Sequence, residues 1–194
     1  ALPFLSIVQG ALNLDSIPYA QTSGNGQGAY QISPESRALF DAYPNDKRRP
    51  YTWITERQSS GEKVSWITKY PGSIYADGRI SDNDLIIFRL ADIYLMKAEA
   101  EIALGTQTEA KAALDVIRAR REMAPSDDTS VDQLRADLRE TWRLEMNREG
   151  DRFLNLVRWE LAADVLSDKG YIQDKHSLLP IPNAVLMEYF NFFQ

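Results

Sequence analysis

Between residues 84 and 165 apolar side chains recur every three or four positions, and Gly105, Pro125 and Gly150 divide the run. Ile87, Ala91, Tyr94, Ala98 and Ile102 fall on one face of a helix, and Leu90 and Leu95 widen that face. Such a helix is expected to be buried on most sides, so the chain must fold by packing helices against one another. Gly105 ends it, and Thr106 with Glu109 has the form of a capping box that opens a second helix over about 107–122, with Ala110, Ala113, Leu114 and Ile117 along its stripe. The connection is short enough to force the two helices antiparallel. Ser130 with Gln133 is a second capping box and predicts a third helix carrying Leu134, Leu138, Trp142 and Met146, ending at Gly150. A fourth helix is expected to carry Phe153, Leu156, Val157, Leu161 and Val165, giving two successive helical hairpins. The architecture resembles tetratricopeptide repeats, although only the first hairpin follows the spacing of that repeat.

Residues 1–83 read differently. Gly, Ser, Asn and Pro cluster at 23–26, 44–45 and 71–72, so this part is loop-rich. Ser33-Pro34 predicts a short helix over about 34–43. Residues 51–55 and 63–70, rich in β-branched and aromatic side chains, can pair as one β-hairpin. At the other end, Leu178 to Pro182 reads as extended, and Asn183 to Phe193 as a short aromatic helix that docks on the others. The fold class is therefore mainly α, with a loop-rich part at 1–83 and a helical region plus docking tail at 84–194, together one domain. A chain of 194 residues with 44% apolar and 26% charged side chains supports a core without disulfide or metal staples.

Composition removes several functions. A net charge of −6 opposes a polyphosphate partner, so no nucleic acid is expected. Without cysteine there is no thiolate catalysis and no Cys-based metal site, while the compartment stays open. No apolar run approaches the roughly 20 residues of a membrane span. The opening ALPFLSIVQGALN has no initiator Met and no basic export region, and reads as the interior of a longer polypeptide. His176, the only histidine, is expected in a loop without a metal or relay role. Asp82-Asn-Asp84 lacks the glycine and bidentate Glu of a calcium loop and reads as a helix cap, and Gly24 to Gly28 lacks the Lys-Ser/Thr of a phosphate cradle. Neither a metal nor a cofactor is expected.

The richest polar cluster runs from Arg139 to Trp159. Glycoside hydrolysis needs two carboxylates facing one cleft, one with a raised pKa, whereas Glu145 and Glu149 lie among arginines that lower theirs. Arg143, Glu145, Glu149, Arg152 and Arg158 are expected to form a structural ion-pair cluster, not a catalytic site. In the loop-rich part, Tyr51, Trp53, Trp66 and Tyr75 offer flat faces on which sugar rings stack, and core packing is the competing use for each.

The same strings resemble the SusD/RagB family. Ile87-Phe-Arg-Leu-Ala-Asp-Ile-Tyr-Leu-Met-Lys-Ala-Glu-Ala100, Ile117 to Arg120, Glu149-Gly-Asp-Arg152, Leu156-Val-Arg-Trp159, Leu179 to Pro182 and Asp41 to Arg48 are similar to its motifs and occur in its order. Three positions depart from the pattern: Thr141-Trp142 replaces a Glu-Arg pair, and Asn155 replaces an Asp. The resemblance implies the C-terminal part of a non-enzymatic, surface-exposed outer-membrane lipoprotein of the Bacteroidetes type. Its lipid anchor would lie outside this chain. It would capture glycans or other nutrient oligomers and deliver them to a SusC-like TonB-dependent transporter. The alternative is a helical scaffold that binds only protein.

Overall fold

The computed structural model describes residues 32–57, 63–67, 69, 86–126, 130–178 and 181–192. The chain divides into two compact units, 1–148 and 149–194. In the first unit α1 spans Pro34–Asp41, α2 Arg49–Thr52, β1 Trp53–Arg57, β2 Lys63–Ile67, α3 Leu90–Leu104, α4 Gln107–Arg120 and α5 Val131–Glu145. The second unit holds α6 (Arg152–Arg158), α7 (Ala162–Val165), a 3-10 turn at Ser167–Lys169, α8 (Gln173–His176) and α9 (Asn183–Phe192). The protein is mainly helical, as the periodicity predicts. β1 and β2 pair antiparallel, with Trp53 opposite Ile67 and Ile54 opposite Trp66, which is the expected hairpin.

The scaffold of the first unit is a three-helix layer in which α3 packs along α4 and α5 packs on both. Leu95, Ala98 and Ile102 of α3, Ala110, Ala113, Leu114 and Ile117 of α4, and Leu134 and Leu138 of α5 are buried. Small residues at 98, 110 and 113 let the helix axes approach closely. A second cluster, Ile32, Phe40, Trp53, Met123 and Leu144, ties α1 and the start of the hairpin to the end of α5. In the second unit, Leu156 and Ala162 are buried.

Helix ends account for most departures from the sequence reading. α3 begins at Leu90, because Arg89 is extended (φ −142°) and Asp92, three residues on, accepts from the Arg89 backbone N–H at 2.8 Å. Ile87 therefore precedes the helix instead of lying on its face, and α3 is buried along one stripe and not on most sides. Ser130 caps α5 by accepting from Gln133 N at 3.3 Å, but the Gln133 side chain donates to Asp137 instead of completing the box. Thr106 does not cap α4: its hydroxyl donates back to the Glu101 carbonyl at 3.1 Å and to the Glu101 carboxylate.

Four termini share one hydrogen-bond pattern. After α3, α4, α6 and the 3-10 turn, a residue with positive φ is followed by an N–H that reaches back five positions: Thr106 to Glu101 O, Met123 to Arg118 O, Leu161 to Leu156 O and Tyr171 to Leu166 O. Glycine fills the left-handed position at Gly105 (φ 81°) and Gly170 (φ 77°), where a side chain would be strained. Glu122 (φ 59°) and Glu160 (φ 58°) fill it in the other two. A glutamate carries no stop signal, so α4 ends at Arg120 instead of 122, and the expected fourth helix is two helices, α6 and α7. α5 stops at Glu145, one turn before Gly150. His176 lies on α8, not in a loop, and its Nδ1 accepts from Ile172 N at 2.9 Å.

Candidate functional site

The end of α5 brings Glu145 into the interior, where its side chain is almost fully buried. A lone carboxylate there would be strongly disfavoured, and three guanidinium groups from three other segments compensate it. Arg48, in the turn between α1 and α2, donates Nη1 to Oε2 at 2.9 Å. Arg89, just ahead of α3, donates Nη1 to Oε1 at 2.6 Å. Arg121, at the end of α4, closes a two-point clamp with Nε on Oε2 at 2.9 Å and Nη2 on Oε1 at 2.7 Å. The buried Asp46 carboxylate holds the other edge of Arg48 through Nε at 2.9 Å. Arg89 Nη2 and Lys69 Nζ both reach the Glu145 carbonyl, at 2.7 and 3.3 Å. Burial pushes the Glu145 carboxyl upward, but hydrogen bonds from Arg121 and Arg89 more than reverse this and hold it at about 2. Such a group stays ionised at neutral pH and cannot serve as a general acid.

A second polar line runs beside this node. The buried Arg118 of α4 donates Nε to Ala124 O at 2.7 Å and Nη1 to the Thr141 hydroxyl at 3.1 Å, and the same Nη1 lies 3.5 Å from Glu140 Oε2. Thr141 thus accepts the arginine, and the adjacent Glu140 supplies the charge. Tyr43 donates its hydroxyl to Glu140, and burial followed by that carboxylate raises the phenol's pKa.

Of the cluster expected from sequence, Glu145 is the centre of the node, while Arg143 Nη2 approaches Ser36 Oγ at 3.4 Å. Glu149, Arg152 and Arg158 fall in the second unit. There Arg158 Nη2 donates to Asn155 Oδ1 at 3.0 Å, and Asn155 Nδ2 donates to Asp151 at 2.9 Å. At this departure from the family pattern an amide can accept from the arginine and donate to the aspartate at once, which a carboxylate cannot do. The sequence reading missed Arg48, Arg89 and Arg121 as partners of Glu145, and Asp46 as the second partner of Arg48. Each lies in or beside a motif quoted above, but spacing along the chain gives no sign that the four converge.

The aromatic candidates separate. Trp53 is only 6% exposed, within the core cluster, and the guanidinium carbons of Arg37 and Arg49 lie 5.1 and 5.3 Å from its ring centroid. Tyr51 is 49% exposed. Trp66 has a defined place only as backbone in β2, and Tyr75, Asp82 to Asp84 and Gly24 to Gly28 lie outside the described residues. Among the described residues no three His, Cys, Asp or Glu side chains converge to hold a metal ion, and no helix is long and apolar enough to cross a membrane.

Comparison with known proteins gives a family context. The model of the SusD family matches residues 64–191. SusD-like protein P38 of Formosa agariphila is 35% identical over 171 residues, 73% of this chain and 33% of the relative. SusD-like protein P25 of the same organism is 33% identical over 126 residues, 56% of this chain and 24% of the relative. Among solved structures, a laminarin-binding SusD-like protein superposes with a TM-score of 0.71 at 24% identity, covering 95% of this chain and 41% of its own. A SusD superfamily protein from Bacteroides vulgatus superposes with a TM-score of 0.62 at 20% identity, covering 84% of this chain and 42% of its own. The chain thus spans a third or less of the curated relatives' length.

Proposed function

Because the chain belongs to the SusD family, we propose that it is part of a non-catalytic subunit that captures glycans at the bacterial surface and passes them to a TonB-dependent transporter. The observation that carries this reading is the family match over residues 64–191, which spans the helical scaffold and the tail. The site chemistry is in keeping with binding rather than turnover. The buried Glu145 carboxylate is locked ionised by three arginines. Outer-membrane attachment through a lipid on chain outside these residues, and delivery to a SusC-like partner, belong to the same proposal.

Ligand stacking falls to Tyr51, Trp66 and Tyr75; the buried Trp53 serves the core. Laminarin, which a structural neighbour binds, is the first glycan to test. Affinity electrophoresis and calorimetry on a polysaccharide panel, with Tyr51→Ala, Trp66→Ala and Tyr75→Ala variants, should show saturable binding that weakens in at least one variant, with no reducing sugar released. Release of reducing sugar would overturn the non-catalytic reading. Binding that survives all three substitutions would remove these aromatics from the ligand surface.

A further inference from the structure

His176 is the only histidine of the chain, and it closes the four-residue helix α8 in the second unit. Two hydrogen bonds join it to Ile172, the residue that opens the same turn. The Ile172 carbonyl accepts from His176 N at 2.8 Å, the ordinary helical bond, and the Ile172 N–H donates to the ring Nδ1 at 2.9 Å. The first N–H groups of a helix have no partner within its backbone, so the second bond is a cap supplied from the far end of the turn. A backbone N–H can only donate, so Nδ1 must carry its lone pair and the ring proton must sit on Nε2. A neutral imidazole meets that demand. An imidazolium, with an N–H on both nitrogens, sets donor against donor. The half-buried ring lies 5.8 Å from that of Tyr171, and Tyr171 stands edge-on to Phe153 of α6 at 6.2 Å. The Tyr171 hydroxyl donates to Gln173 Oε1 at 3.1 Å, and its backbone N–H reaches Leu166 O at 3.2 Å.

We propose that the α8 turn is an acid-sensitive clip, closed by the bond from Ile172 N to His176 Nδ1 while the imidazole is neutral and opened when His176 takes up a proton. Only the closed turn gives Nδ1 a donor, so closing favours the neutral ring. The contribution of the bond is therefore complete at alkaline pH and is lost as pH falls through the range in which an imidazole charges. The charged and titratable groups on the turn are Asp174, Lys175 and the Tyr171 phenol. α6, which meets the turn through the apolar ring of Phe153, carries Arg152 beside that ring in sequence, and the 3-10 turn leading in carries Asp168 and Lys169, which pair with each other. A single helical turn has little intrinsic stability in water, so one hydrogen bond is a large share of what closes it. The segment released runs from Ile172 to Leu178, between the 3-10 turn and α9, and both of its end residues are exposed.

Amide exchange with water tests the clip, read by NMR on protein labelled with 15N in isoleucine and histidine and normalised to the intrinsic exchange rate at each pH. The Ile172 protection factor should fall roughly fivefold between pH 8 and pH 5, the worth of one hydrogen bond, while that of Ile117 in the core of α4 stays constant. The His176 ring nitrogens should titrate with the same midpoint as that fall. His176→Phe keeps an aromatic ring beside Tyr171 but offers no acceptor. Its Ile172 amide should show the low protection of the acid form at both pH values, with Ile117 unchanged as the sign that the variant is folded. Equal wild-type protection at pH 8 and pH 5 would overturn the proposal, as would a midpoint apart from that of the ring, either of which is read on the wild type alone. A fall that persists in the Phe variant, or high protection there at both pH values, would also overturn it.

Discussion

The α3–α4 seam and the Glu145 node lie in the same unit and are held together in opposite ways. The seam is built from Ala98, Ile102, Ala110, Ala113, Leu114 and Ile117, neighbours along two consecutive helices, and its stability is apolar area removed from water. The node is built from Asp46, Arg48, Arg89, Arg121 and Glu145, spread over a hundred residues of chain, and its members are tolerated in the interior only because each is paired. A seam can lose a methyl group and relax. A node that loses one member leaves charges with nowhere to go.

The sharpest way to break this contrast is Glu145→Gln. It leaves three guanidinium groups around a neutral amide, and breaking a buried ion network costs about 3–5 kcal/mol, measured by urea unfolding at pH 7. The same residue sets a pH dependence. Its carboxyl is lowered from the ordinary 4.5 to about 2 in the folded state, so its contribution is complete above about pH 5 and is lost as pH falls through 4.5 toward 2. That difference corresponds to about 3 kcal/mol. Wild type should therefore lose urea resistance across this window, the Gln variant should lose less, and the two curves should converge near pH 2. Parallel curves would show that the node does not depend on the charge of Glu145.

Leu114→Ala probes the seam. Leu114 is fully buried, and its truncation should cost about 3 kcal/mol through lost transfer energy and the cavity left behind. This loss should be the same at pH 7 and pH 3, because no titrating group is involved. A loss that changes with pH would mean that seam and node are coupled.

The smallest effects compare two helix starts that look alike in sequence. Ser130→Ala removes a cap that accepts from Gln133 N and should cost about 1 kcal/mol. Thr106→Ala removes a hydroxyl that points back to Glu101 in an exposed position and should cost less than half as much. Equal losses measured by thermal unfolding would mean that Thr106 caps α4 in solution.

The seam was legible because helical periodicity is local: residues three and four apart must share a face. The hairpin β1–β2, the helix at Pro34 and the stop at Gly105 were legible for the same reason, since a proline at the first turn or a glycine in the left-handed position acts within a few residues. The stops at Glu122 and Glu160 were hidden because the left-handed conformation there is held by the 6→1 hydrogen bonds from Met123 and Leu161, not advertised by residue type. At the candidate site, arginine surrounding Glu145 was predictable in kind. Which arginines was not, and the sequence favoured neighbours such as Arg143 and Arg152 over Arg48 and Arg89.

By itself, then, the sequence determined that this chain contains a stack of amphipathic helices, has no thiol chemistry, and carries the motifs of its family in their order. Tertiary structure alone decided that Trp53 is buried in a core cluster, that Glu145 gathers cations from the α1–α2 turn, the start of α3 and the end of α4, and that Leu90, Ile93 and Met96 of α3 are exposed while Leu95, Ala98 and Ile102 are buried. The reason is physical: helix patterning is governed by neighbours within a turn, whereas the pairing of a buried charge and the covering of an apolar face depend on which distant segments the fold brings within a few ångströms.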